Sequence, residues 1–237
     1  MQDQLYLHQD HKRFLQGEIK GITRIFIEKL FPTFTNIQEK AEEYSENLFE
    51  SICQSVGGEN SDSSDAAEYA RDEGFEYYQA LSLAKYGFTA FSISLLYHFW
   101  EQQIRKFLFL EWRKNGYKID FKEFTKITYD ITHIKVFLLL YDIDIETFDS
   151  WDKLNELRFL NNAVKHGTTK NLLNLKEKNS GLFHNWVIED DETIKLIDSC
   201  ILEEILDISE TNFKEYSEVL INFWEEFPER SYLKKSL

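Results

Sequence analysis

A chain of 237 residues, 43% of them hydrophobic, is long enough for one large domain with a sizeable core, or for a domain with an appended element. Its formal net charge of −15 argues against a surface coated in positive potential for non-specific duplex binding, although it leaves room for a local basic pocket. Two Pro and nine Gly are too few breaks for a chain of many short strands. An aromatic share of 16% points instead to thick helix–helix packing, so the expected fold class is all-α. Cys53 and Cys200 lie far apart without metal-ligand spacing, as suits a reducing cytoplasm. The polar, charged opening carries no leader pattern. The longest apolar runs, near 107–110 and 136–141, fall far short of the ~20 residues that cross a bilayer. A cytoplasmic chain without a membrane partner is expected.

In chain order, residues 3–31 place Leu5, Leu7, Phe14, Leu15, Ile19, Ile22, Phe26 and Leu30 mostly at helical spacing, and Pro32 ends the run. A second helix is expected over 35–56, stopping at Gly57-Gly58. These two are expected to pair as an N-terminal helical hairpin or arm over 1–60, set off from a bundle over 61–237 by the loop Gly57–Asp65. From 66 to about 114 almost nothing breaks a helix, and Phe88–Trp112 is apolar enough for a central helix packed on several sides. Asn115-Gly116 ends it. A further helix is expected over 121–141, then an acidic connection. After Gly167 the pattern weakens. Residues 168–198 read as a long excursion, with a strand-like piece at 185–189. A last amphipathic helix over 209–227 is stopped by Pro228.

The most informative stretch is 150–167, a helix with a capping-competent Asp149 or Ser150 at its start and Gly167 at its end. With successive residues turned by about 100°, Leu157, Phe159, Leu160, Ala163 and Val164 fall on one side. Arg158, Asn161, Asn162, Lys165 and His166 share the other arc, with Leu154 as an apolar intruder.

The order of a long apolar helix, a second helix, a short helix ending in a polar stretch with His, a loop and a Trp-bearing final helix resembles the HEPN superfamily, over roughly 66–228. The family's signature is an Arg, a polar residue, a few variable residues and a His near a helix end. Asn161-Asn162-Ala163-Val164-Lys165-His166-Gly167 resembles it in the polar residue, the His and the stop. Asn161 stands in the usual Arg position, and the nearest Arg is Arg158. Arg158, Asn162 and His166 nevertheless fall at i, i+4, i+8 along one stripe. The resemblance implies an antiparallel helical bundle that forms a homodimer and acts as a metal-independent endoribonuclease. It further implies a toxin–antitoxin or anti-phage defence role, RNA as substrate, and an antitoxin or defence protein as a further partner.

Metal-free RNA cleavage needs a group to take the 2′-OH proton and a cation on the crowded phosphate. His166 suits the first near neutral pH and Arg158 the second. Asn162 would orient the imidazole, with Asn161 and Lys165 as substrate-binding residues and Glu101 and His98 of the central helix as supporting ones. The bland alternatives stand beside these. His166 before a Gly stop also suits the helix dipole, and Arg158 also suits a pair with Asp152, Glu156 or Glu101. His98 also reads as a core or interface histidine. Glu101, on an oily helix, needs a partner, with Arg158 and His166 as candidates. No His/Cys/Asp cluster has metal spacing and no Gly-rich phosphate loop occurs, so neither metal nor cofactor is expected. The alternative function is a HEPN-fold binding or scaffold protein that has lost catalysis, with Asn161 as the mark of loss. A toxin modified on a Tyr just after the His ranks last, because the chain continues Gly167-Thr168.

Overall fold

The computed structural model describes residues 3–55, 63–188, 191–197, 200 and 203–234. The expected all-α bundle is what forms. Its helices are α1 (Gln9–Ile25), α2 (Ile37–Ser55), α3 (Ser63–Lys114), α4 (Phe121–Ile127), α5 (Ile131–Leu139), α6 (Trp151–His166), α7 (Thr169–Lys178), α8 (Asn185–Ile188), α9 (Asp191–Leu196) and α10 (Glu210–Glu226). The loop expected over 57–65 falls largely outside the described residues.

Four helices make the body. Trp100 and Phe107 of α3 meet Phe223 of α10 and its C-cap residue Phe227 edge to face, at ring separations of 5.0 and 5.5 Å, so these two helices run parallel. Against α10, α6 runs antiparallel: the Ser150 amide reaches Glu226 at one end, and the Tyr216 hydroxyl donates to Glu156 Oε1 (2.6 Å) towards the other. Antiparallel α1 reaches α10 through Lys12 Nζ to the Glu225 carbonyl (2.7 Å) and Gln16 Nε2 to the Ile221 carbonyl (3.1 Å). Gln103 ties three of the four together. Its Oε1 accepts from Trp224 Nε1 (3.0 Å), and its Nε2 donates to the Leu15 carbonyl and Glu18 Oε2 (both 3.0 Å).

The first two helices do not pair with each other as expected. Helix α1 packs on α10, whereas α2 packs on the first half of α3. The reason lies in small residues. Ala41 is the one buried residue of α2, and between positions 64 and 85 only Ala70 and Gly74 are buried. Ser45 Oγ donates to the Ala70 carbonyl (2.8 Å), and the Tyr44 and Tyr77 rings lie 4.7 Å apart. The amphipathic pattern showed that each helix buries a face; it could not show against what.

Three further differences are local. The helix expected over 121–141 is two helices, because Thr128 closes α4 and the Asp130 carboxylate caps α5 by accepting from the His133 amide (3.0 Å). The strand-like piece at 185–189 is the short helix α8, and α7 fills the start of the expected excursion. A two-stranded antiparallel ribbon, β1 (Gln4–Tyr6) with β2 (Arg230–Tyr232), joins the two ends of the described chain. Three-residue strands are too short for an alternating pattern to register.

A Cβ on Gly74 would stand 2.7 Å from Ser45 Cβ and 3.3 Å from the Ala41 carbonyl, so neither contact can relieve itself by turning a flexible side-chain end. Gly74→Ala is expected to force the α2–α3 pair apart, costing about 1–2 kcal/mol after the ~1 kcal/mol gain in helix propensity. Hydrogen exchange is expected to quicken across 37–55 while α6 and α10 stay protected. Unchanged exchange in α2 would contradict the close approach.

Candidate functional site

Helix α6 ends as its sequence suggests, but the capping expected of Asp149 or Ser150 does not form: Ser150 stands at the N-cap without a side-chain hydrogen bond, and among the described residues its buried hydroxyl has no partner. Gly167 adopts φ 57°, the left-handed C-cap conformation, and its amide returns to the Ala163 carbonyl (2.8 Å). The chain then reverses, and α7 lies back along α6, pinned by Asn171 Nδ2 on the Asn162 carbonyl (3.4 Å) and Lys178 Nζ on Asp152 (3.0 Å).

The wheel needs one correction. Asn161 is buried, at 2% exposure, with its Oδ1 accepting from the Ser94 hydroxyl of α3 (2.6 Å). Leu154 is buried too, while Phe159 is only half-buried. The core-facing arc therefore runs through Leu154 and Asn161, and Asn161 spends its amide oxygen on holding α3 to α6. A short polar residue at the edge of a wheel reads as surface unless its hydrogen-bond partner is known.

The remaining residues of the arc do face outward. Lys165 and His166 are exposed, and Arg158 and Asn162 are half-buried. Among the described residues the Asn162 and His166 side chains have no hydrogen-bond partner. The Arg158 guanidinium is not directed at His166. Its Nε donates to Asn155 Oδ1 (2.9 Å), one turn back, and its carbon lies 4.2 Å from the centre of the Phe159 ring. Eight residues of helix, about 12 Å, separate the two Cα atoms. Within one protomer Arg158 and His166 are thus not brought to one phosphate.

What comes together instead is the outer edge of α3 and the end of α6. On α3, within one turn of the Ser94–Asn161 pin, Phe91 and Leu95 are exposed and His98 is half-buried. The Lys165 ammonium is close enough to act on both His98 and Glu101. Partial burial, then Lys165 and Arg105, push the His98 imidazole below its usual value, so the ring is neutral at pH 7. Its Nδ1 stands 3.8 Å from Glu101 Oε2, within ion-pair range, yet a neutral ring makes this a polar contact and not a salt bridge.

Neither expected partner of Glu101 is the real one. Its carboxylate meets Arg105 Nη2 at 3.0 Å. Burial raises the Glu101 carboxyl, and Arg105 with Lys165 oppose that shift without cancelling it. Arg105, itself buried, also donates to the carbonyls of Thr128 and Tyr129 (2.8 and 2.5 Å) and so fastens the α4–α5 turn beneath the same face. The sequence contained a clue to Arg105: it follows Glu101 by one turn inside an apolar run, where neither charge is tolerable alone. Tyr97 completes the floor, its phenol pushed far up by burial and only partly drawn back by Arg158 and Arg105.

Around one occupied carboxylate the face therefore gathers buried Arg105, half-buried His98 and the exposed Lys165 ammonium, and His166 is exposed next to Lys165 at the end of α6. Among the described residues no group of His, Cys, Asp or Glu is placed to hold a metal ion, and no helix is long and apolar enough to cross a membrane. Cys200 is buried, its thiol pushed up to about 11 by that burial, and Cys53 is exposed.

Two measurements check this geometry. Asn161→Ala, which strands the buried Ser94 hydroxyl, is expected to lower unfolding stability in urea by about 1–3 kcal/mol. Asn162→Ala is expected to stay within roughly 0.5 kcal/mol, as outward substitutions do. Followed by NMR, His98 is expected to titrate below 6.5, and Lys165→Ala to move that midpoint upward, since removing a nearby cation favours the protonated ring. A midpoint unmoved by Lys165→Ala would separate the two residues.

No family model, curated protein or solved structure matches the chain.

Proposed function

We propose that the open face of α3 and α6 binds RNA and cleaves it without a metal ion. The observation that carries this reading is the exposed Lys165 ammonium acting on the half-buried His98 imidazole of α3, with exposed His166 next to Lys165 in the chain. Lys165 gives a polyanion a cation to meet on this face, and the neutral His98 imidazole lies beside it.

In the reaction His166 takes the proton of a 2′-OH, whose oxygen attacks the adjacent phosphorus. The P–O5′ bond breaks, leaving a 2′,3′-cyclic phosphate, and the departing O5′ receives a proton from water. Lys165 takes the role of phosphate clamp that the sequence suggested for Arg158, and neutral His98 is a second proton acceptor on the same face. One helix supplies half of such a groove. Phe91 and Leu95, exposed at 58% and 48% beside His98, give a second copy an apolar edge to cover, and a two-fold arrangement would set two sets of these groups around one strand. An RNase of this kind is the toxic or defence effector that the HEPN resemblance implies.

A catalytically silent binding protein of the same fold is the second reading. It draws on Arg158, whose guanidinium is occupied by Asn155 and Phe159 and is not aimed along the stripe.

Incubated with RNA in EDTA, the purified protein is expected to produce ends carrying 2′,3′-cyclic phosphate. His166→Ala is expected to lower the rate at least a hundredfold with unchanged circular dichroism, Lys165→Ala to weaken binding, and Arg158→Ala to leave the rate within a few-fold of wild type. RNA bound but uncut by wild type would favour the silent protein; His166→Ala as active as wild type would remove His166 from the site.

A further inference from the structure

The α4–α5 turn presents an aromatic ring that the fold itself does not use. Tyr129 is 71% exposed. Among the described residues its ring meets only the edge of the His133 imidazole, at 6.1 Å and 88°. The backbone beneath it is held firmly. The Tyr129 carbonyl accepts from Arg105 Nη2 (2.5 Å), the preceding Thr128 carbonyl from Arg105 Nε (2.8 Å), and the Thr128 hydroxyl donates to the Phe124 carbonyl (3.0 Å). On the other side Asp130 caps α5 and also binds the His133 ring (2.7 Å). A bare ring on a fixed stem is costly to leave in water and cheap to use, because little ordering remains for a ligand to impose.

Its position gives the ring a use. Through Arg105 the turn is joined to Glu101, and Glu101 faces His98 and Lys165. The turn thus borders the face on which Lys165 acts, and the carboxylates between them are occupied, Glu101 by Arg105 and Asp130 by His133. Cations for a backbone beside a ring for a base is the arrangement that suits an unpaired strand. In a duplex each base is covered by its neighbours, and a single ring has only edges and phosphates to meet.

We propose that Tyr129 is a stacking platform for an unpaired base, and that the RNA taken up beside Lys165 and His98 is single-stranded. This rests on the RNA reading above and narrows its substrate class. The exposed neighbours Ile127, Val136 and Leu140 make a protein contact the competing use of the same turn.

The test is fluorescence anisotropy in EDTA, with a labelled 2′-O-methyl oligouridylate, which lacks the nucleophile, and a labelled RNA duplex. Wild type is expected to prefer the oligouridylate. Tyr129→Ala is expected to weaken it about tenfold, the loss of one stacked base, while Tyr129→Trp retains it and the duplex affinity stays put. Lys165→Ala is expected to weaken both probes. If Tyr129→Ala binds like wild type while Lys165→Ala is weakened, the platform is wrong and the RNA face stands. If wild type binds neither probe, both fail. If Tyr129→Ala leaves RNA affinity intact and changes the sedimentation coefficient, the turn is a protein contact and the platform is overturned.

Discussion

Gln103 is the constraint on which the bundle depends. A carboxamide at 6% exposure is costly to bury unless every polar atom is used, and here one side chain accepts from the Trp224 indole and donates to α1 twice. Apolar packing between α1, α3 and α10 would tolerate sliding by a turn; three hydrogen bonds from one residue do not. They set the register in which Trp100, Phe107, Phe223 and Phe227 mesh. That register in turn presents Glu101 and Arg105, two residues before and two after the hub, towards α6 and the α4–α5 turn. The neighbouring Trp100 shows the opposite case: among the described residues its indole N–H is buried without a partner, a deficit of the order of 1–3 kcal/mol accepted where the ring itself fills the core.

The charged face follows from the same frame. Ser94–Asn161 and Tyr216–Glu156 are buried polar clasps that tie α6 to α3 and to α10. With both sides of α6 engaged, its remaining arc has nowhere to face but outward. Lys165 and His166 are consequently displayed at the helix end, where the dipole favours cations. The α6 carbonyls at the Gly167 stop thus sit beside the Lys165 ammonium, which suits the negative end of the helix dipole.

How much of this the sequence reveals depends on whether a feature is local. The span of α6, its Gly167 cap, the unbroken α3 and the final helix are legible because each is written in consecutive residues. The partner of a face is not. Helices α1 and α2 both carry amphipathic patterns, yet their mates were decided by Gln16 meeting α10 and by Gly74 admitting Ser45, contacts between residues 205 and 29 positions apart. At the site, His98, Lys165 and His166 were visible as candidates. Asn161 was misplaced because its Ser94 partner lies on another helix, and the docking of Arg158 on Phe159 depends on a rotamer that spacing does not encode.

Helix α3 also has a mechanical meaning. It is one unbroken rod of 52 residues, about 78 Å long. Its far half carries α2 and its near half carries His98, Glu101 and Arg105. The segment 37–80, α2 with that far half, contains twelve acidic and two basic residues, so it holds a net −10 of the chain's −15. A stiff beam with its charge at one end is a lever: a tilt of about 5° at the bundle swings the tip by about 4 Å, and a pull on the tip is felt as torque at residues 94–105. Whatever touches the acidic end is therefore mechanically in series with the face that gathers the cations.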